Sequence, residues 1–176
     1  MRKAAILSLC LLVSAAVATA QEQKKKPLSP AAQATATLAG KAITIDYSAP
    51  SRRDRVIMGG LVPYGKLWRT GANAATTLTT EADLMIGNLH VPAGTYTLFT
   101  IPNEKEWTLV VSKQSGLWGA NGYDEANDLG RVAMTVAPIK DTVETFTIRV
   151  APAGEKKGTL SMKWENVEAS VPVMVH

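Results

Sequence analysis

Leu84–Ile101 reads L-M-I-G-N-L-H-V-P-A-G-T-Y-T-L-F-T-I. Leu84 and Ile86 lead into Gly87-Asn88, and Leu89 and Val91 resume the alternation beyond it. Two turn residues between alternating apolar runs are a tight hairpin signal. Pro92-Ala93-Gly94 then turns the chain into Thr95–Ile101, which is rich in Thr, Tyr, Phe and Leu, residues that suit a pleated, half-buried surface. The stretch therefore predicts strand, hairpin, strand, turn and strand, and it sets a two-residue period for what lies on either side.

The same period extends outward. Upstream, Ile43, Ile45 and Tyr47 share one face while Thr44, Asp46 and Ser48 share the other. Downstream, Trp107, Leu109 and Val111 alternate after a turn at Pro102–Glu106. Arg131–Val136 and Glu144–Val150 continue the pattern, with Phe146, Ile148 and Val150 on one face. A charged turn at Gly154–Gly158 precedes Leu160, Met162 and Trp164, then Val167, Ala169, Val171, Val173 and Val175. Roughly eight to ten short strands with regular turn signals define an all-β protein. No long segment shows the helical period. The expected architecture is an antiparallel β-sandwich, or a partly open barrel. One short helix is expected within Ala72–Thr79 and another within Gly116–Leu129.

The first twenty residues read as an address. Arg2 and Lys3 form a positive start, Ala4–Val17 is apolar, and Ala18-Thr19-Ala20 has small residues at the cleavage-reading positions. That pattern predicts a signal peptide cut after Ala20 and a periplasmic or secreted product. The apolar run falls short of the roughly 20 residues a membrane span needs, so no stable anchor is expected after cleavage. Cys10, the chain's one cysteine, lies inside this segment behind Leu9, which does not fit lipidation. The mature chain then has no disulfide, thiolate nucleophile or Cys-ligated zinc. Residues 21–28 form a polar, lysine-rich tether, and residues 29–176 one β-rich domain. Of 19 Lys and Arg, two leave with the signal, while all 15 Asp and Glu remain. So small a basic excess does not suit a nucleic-acid partner.

Several motifs carry a resemblance. They are S-P at 29–30, I-D-Y-S-x-P-S at 45–51, G-x-L-V-P-Y-G-K-L-W-R-T-G-A-N-A-A-T-T at 59–77, P-A-G-T-Y-T-L-F-T-I-P at 92–102, W-T at 107–108, W-G at 118–119 with Tyr123-Asp124 following, and E-x-F-T-I at 144–148. On these pieces the chain resembles the bacterial domain of unknown function 2911 family over nearly its whole mature length. The resemblance implies an exported, single-domain, β-rich protein and supplies no activity. The chain departs from the family pattern at Ala49, where arginine often precedes the proline, and at Ala74, where a glutamate is common. Any chemistry in relatives that uses that glutamate is not available here.

The segment Leu61–Thr77 holds the densest set of recognition groups. Arg69 offers a planar fork for a carboxylate or phosphate, and Thr70–Asn73 can turn backbone N–H groups toward an anion. The structural alternative pairs Arg69 internally with Asp46, Asp54 or Asp128. Trp107 and Trp164 alternate with aliphatics and read as core, whereas Trp68, Trp118 and Tyr123 sit in glycine-rich segments and read as exposed or half-exposed. Tyr64, Trp68, Arg69, Asn73 and Tyr123 form the expected ligand-binding set for a small molecule, glycan or protein partner. Asn121, Asp124, Glu125, Asn127 and Asp128 are oxygen-rich but do not follow the calcium-loop spacing, and turn formation explains them. No metal or cofactor is expected. The chain lacks the nucleophile elbow, zinc-protease and phosphate-loop motifs. Two classes stay open: a non-catalytic ligand- or partner-binding β-sandwich, and a small hydrolase or isomerase using Arg69 and loop carboxylates on an anionic or glycan substrate. No catalytic residue is assigned.

Overall fold

The structure is a computed structural model that describes residues 28–176. The expected signal peptide, and all of the tether except Leu28, lie outside the described residues. The strands are β1 (Ala31–Leu38), β2 (Lys41–Ser48), β3 (Thr76–Thr80), β4 (Leu84–Ile86), β5 (Leu89–Val91), β6 (Gly94–Ile101), β7 (Glu106–Ser112), β8 (Asp128–Pro152) and β9 (Lys157–Val175). They form one antiparallel sheet in the order β1-β2-β3-β6-β7-β8-β9-β4-β5. The sheet does not close, but it curls until β1 packs against β8 and β9. All-β architecture with a partly open, sandwich-like curl is what the alternation predicts.

The enclosed face is the core. Ile43 and Ile45 of β2, Leu78 of β3, Leu98 of β6, Leu109 and Val111 of β7, and Met162 and Trp164 of β9 are all buried there. Full burial of each such side chain is worth about 1.5–3 kcal/mol. The Gly87-Asn88 turn joins β4 to β5 as expected, with Ile86 paired to Leu89.

One expectation is corrected. No helix forms within Ala72–Thr79, because Thr76–Thr80 is β3 and pairs with β2 and β6. Its T-T-L-T-T run is β-branched at four of five positions, and such side chains lose χ1 freedom in a helix but fit a sheet. Within Gly116–Leu129 the only helical piece is a 3-10 turn at Glu125–Asn127. Asp124 caps it, its Oδ1 accepting the Ala126 N–H at 3.0 Å.

The separate late strands also merge. Arg131–Val136 and Glu144–Val150 belong to the single strand β8, and Leu160–Trp164 and Val167–Val175 to β9. The β8–β9 pairing shifts register between Pro138 and Val143 and again between Val143 and Thr147. Opposite, Glu165 takes a left-handed φ of 54°. These irregularities bend both strands where they pass from one half of the curl to the other.

Candidate functional site

The Leu61–Thr77 segment is pinned from inside. Trp68 bridges Thr100 of β6 and turns its indole toward the core. There it stacks on Trp164 at a centroid distance of 5.8 Å and an interplanar angle of 18°, with Trp107 and Phe146 edge-on. Its Nε1–H donates to the Gly71 carbonyl at 3.0 Å. Thr70 is fully buried at a φ of 56°, an outlier for a β-branched residue. Its Oγ1 lies 3.2 Å from Thr100 Oγ1, and its carbonyl accepts from Thr76 Oγ1 at 2.7 Å. Gly71 has a φ of 155°, and a Cβ there would stand 2.8 Å from the Ser48 carbonyl oxygen. Only glycine fits this turn.

Beside the turn lies a cleft of 380 Å³. Leu28, Ser29, Pro50, Leu61, Val62, Trp68, Gly71, Ala72, Asn73 and Trp164 line it, together with Arg53, Arg55 and Arg69; among the described residues no Asp or Glu does. Arg69 forms no ion pair among the described residues, so none of Asp46, Asp54 and Asp128 is its partner. Its Nε is buried without a hydrogen-bond partner among the described residues, and its Nη1 reaches the Gly119 turn, 3.5 Å from where a Cβ would sit. Asn73, at a φ of 59°, commits its amide donors to the Ser29 carbonyl and Ser48 Oγ, each at 3.3 Å. It therefore clamps the entering chain against β2.

The other two arginines come from a strap, residues 51–62, that crosses to the bend of β8 and β9. Glu144 accepts the Arg53 N–H at 2.9 Å and lies 3.8 Å from Arg52 Nε. Glu165 accepts the Ile57 and Met58 N–H groups at 3.3 and 3.2 Å. Arg52 is thus compensated by Glu144 and, at 3.5 Å, by Asp54. Arg53 and Arg55 instead donate to carbonyls of Leu28, Arg52 and Ser51, which carry no net charge. Among the described residues, non-glycine left-handed backbone occurs at Arg53, Asp54, Thr70, Asn73 and Glu165, all in or beside the cleft and strap, and at Ala39 in a plain hairpin turn. Such conformations cost about 1–3 kcal/mol each and cluster where surrounding structure holds a site in shape.

Of the five residues expected to bind ligand, the fold brings Trp68, Arg69 and Asn73 to this cleft. Tyr64 lies over Gly59 and borders a separate shallow depression with Asn103, Glu104 and Lys105. Its phenol is pushed above its ordinary value by burial, then by Glu104 and Glu165. Tyr123 packs on Phe99 and donates to Asp128 at 2.7 Å, with Arg131 donating to the phenol oxygen at 3.0 Å. That network lies outside the cleft lining. Trp118 is exposed and bridges Ala74. Sequence reasoning missed Arg53 and Arg55; the R-R-D-R run at 52–55 was the available signal. The loop carboxylates are used elsewhere: Asp46 accepts from Gln33 at 2.7 Å, Asp54 faces Arg52, Asp124 caps the 3-10 turn and Asp128 holds Tyr123. Among the described residues no three of His, Cys, Asp and Glu are grouped to hold a metal.

These features define a curled, open-edged antiparallel β protein with an arginine-bordered cleft at the bend of its longest strands. The chain belongs to the family described as "Protein of unknown function (DUF2911)", which matches residues 29–173. No curated protein and no solved structure matches the chain.

Proposed function

We propose that this protein is an exported, non-catalytic binder of a small anionic ligand, held in the cleft beside Trp68–Asn73. One observation carries the reading: Arg53, Arg55 and Arg69 border a 380 Å³ cleft that no carboxylate among the described residues lines. Uncompensated guanidinium groups on a semi-enclosed surface favour an anion, and their planar forks favour one with several oxygens. The volume falls in the roughly 300–1,000 Å³ range of small-molecule sites. The strained strap and turn support the reading, since they hold the arginines in place before a ligand arrives. The alternative, a hydrolase or isomerase working through Arg69 and loop carboxylates, is less well supported, since none of Asp46, Asp54, Asp124 and Asp128 lines the cleft.

A thermal-shift series with organic anions tests the proposal. A ligand that binds only the native state raises the melting temperature with concentration. The rise should shrink with added salt, as exposed charge pairs are screened over about 10 Å at 0.1 M. It should also be lost in Arg55→Ala. A melting temperature unmoved by every anion, or moved equally in Arg55→Ala, overturns it.

A further inference from the structure

We infer that the arginine strap makes the cleft selective for a phosphate monoester dianion on a small apolar body, over a carboxylate; this rests on the anion-binding reading above. The first ground is donor supply. Each guanidinium carries five N–H donors, and across Arg53, Arg55 and Arg69 only three hydrogen bonds among the described residues, all to backbone carbonyls, use them. A carboxylate offers two oxygens and one charge. A phosphate monoester offers three terminal oxygens and a charge of about −1.5 to −2 near neutrality. Three arginines with no acidic neighbour in the lining among the described residues match the second better than the first.

The second ground is how the strap is held. Arg53 and Asp54 sit at φ 50° and 57° in the turn that aims Arg53 and Arg55. Glu144 fixes that turn through the Arg53 N–H, and Glu165 fixes the strap beyond it through the Ile57 and Met58 N–H groups, neither through Arg53 or Arg55 side chains. Acidic groups are thus spent on positioning the turn, and the charge of these two arginines stays available. The third ground is the rest of the lining. Pro50, Leu61, Val62, Trp68 and Trp164 give the cleft an apolar side, and Leu61 is 49% exposed beside it. Bare inorganic phosphate leaves that side empty, while a monoester with a ring or short alkyl group covers it.

Titration calorimetry on the purified full chain tests this with phenyl phosphate, phenyl sulfate, benzoate and inorganic phosphate at about pH 7.5, where the monoester is mostly dianionic. Phenyl phosphate should bind at least about tenfold more tightly than benzoate or phenyl sulfate, the worth of one further charge-assisted contact. Inorganic phosphate should also bind more weakly than phenyl phosphate. Arg53→Asn, which tolerates the left-handed backbone, and Arg55→Ala should each reduce the phenyl phosphate preference severalfold. Benzoate or phenyl sulfate binding within about twofold of phenyl phosphate overturns the selectivity and leaves an anion site standing. An unchanged preference in both variants overturns the role of the strap. No binding by any of the four overturns the anion-site reading itself.

Discussion

Trp68 and Trp164 lie nearly parallel, 5.8 Å apart and 18° from coplanar, although 96 positions separate them in the chain. One comes from the loop that borders the cleft and the other from the strand just before its bend. The stack ties the site to the core, so the loop's shape depends on packing as well as on local turns.

Trp164→Ala should cost about 3–5 kcal/mol, the usual loss for a buried aromatic truncation. Trp68→Phe keeps most of the ring contact but loses the bond to Gly71, and should cost about 1 kcal/mol from that bond. Urea denaturation of both variants checks the difference. A near-neutral Trp164→Ala would mean that the stack does not support the fold.

Arg69→Ala should behave differently. Arg69 has no carboxylate partner among the described residues, so its removal strands no buried charge. The stability loss should stay near about 1 kcal/mol, well short of the 3–5 kcal/mol of a broken buried pair. Any anion-induced rise in melting temperature should fall. A large loss in ligand-free protein would show that Arg69 serves the fold first.

Glu165→Asn tests the strap. Asparagine tolerates the left-handed backbone but is too short to reach the Ile57 and Met58 N–H groups in the same way. The loss should be about 1–3 kcal/mol, because Ile57 is fully buried and its N–H would be left without an acceptor. Amide exchange should quicken at Ile57 and Met58 before it does in β6 and β7. Unchanged exchange there would sink the clamp role.

Tyr123 supplies a pH test. Burial, and next the hydrogen bond to Asp128, raise its phenol above the ordinary value of 10.0, although Arg131 pulls the other way. The folded state therefore holds the proton more tightly than the unfolded state. The resulting stabilisation is present in full below pH 10 and is lost as pH rises through the folded value. Tyr64 and Tyr96 are raised as well, so ultraviolet titration should show several late tyrosines, of which Asp128→Asn should bring one, Tyr123, earlier. A Tyr123 titration at or below the ordinary value would contradict this environment.

Export is tested by mass. The charged start, apolar run and A-T-A site lead us to propose a mature chain beginning at Gln21. Intact mass of the extracytoplasmic protein should match residues 21–176. A mass including residues 1–20, or a lipid on Cys10, would reverse the assignment.

Much of the sheet was legible because one buried face writes a period of two into the chain. Ile43 and Ile45, Leu109 and Val111, and Val171 and Val173 could be placed inward from spacing alone. Thr76–Thr80 misled because polar threonines beside alanines resemble a short exposed helix until β2 and β6 are seen on either side. The unity of β8 was hidden by residues 137–143, where the alternation lapses between the two expected strands although the ladder resumes beyond its irregularities. At the site, Trp68, Arg69 and Asn73 were legible because they share one short loop. Arg53 and Arg55 were not joined to them, since only the path of the strap across the bend brings the two loops together. Tyr123 fell away for the converse reason: its neighbours are Phe99, Asp128 and Arg131.

β8 and β9 are 25 and 19 residues long and run through both halves of the curled sheet. Neither half owns a complete set of strands. Opening the end that carries β4 and β5 frays the same two ribbons that β1 packs against at the other end. The molecule should therefore melt as one cooperative unit, and a ligand seated at the bend would slow the opening of both ends at once.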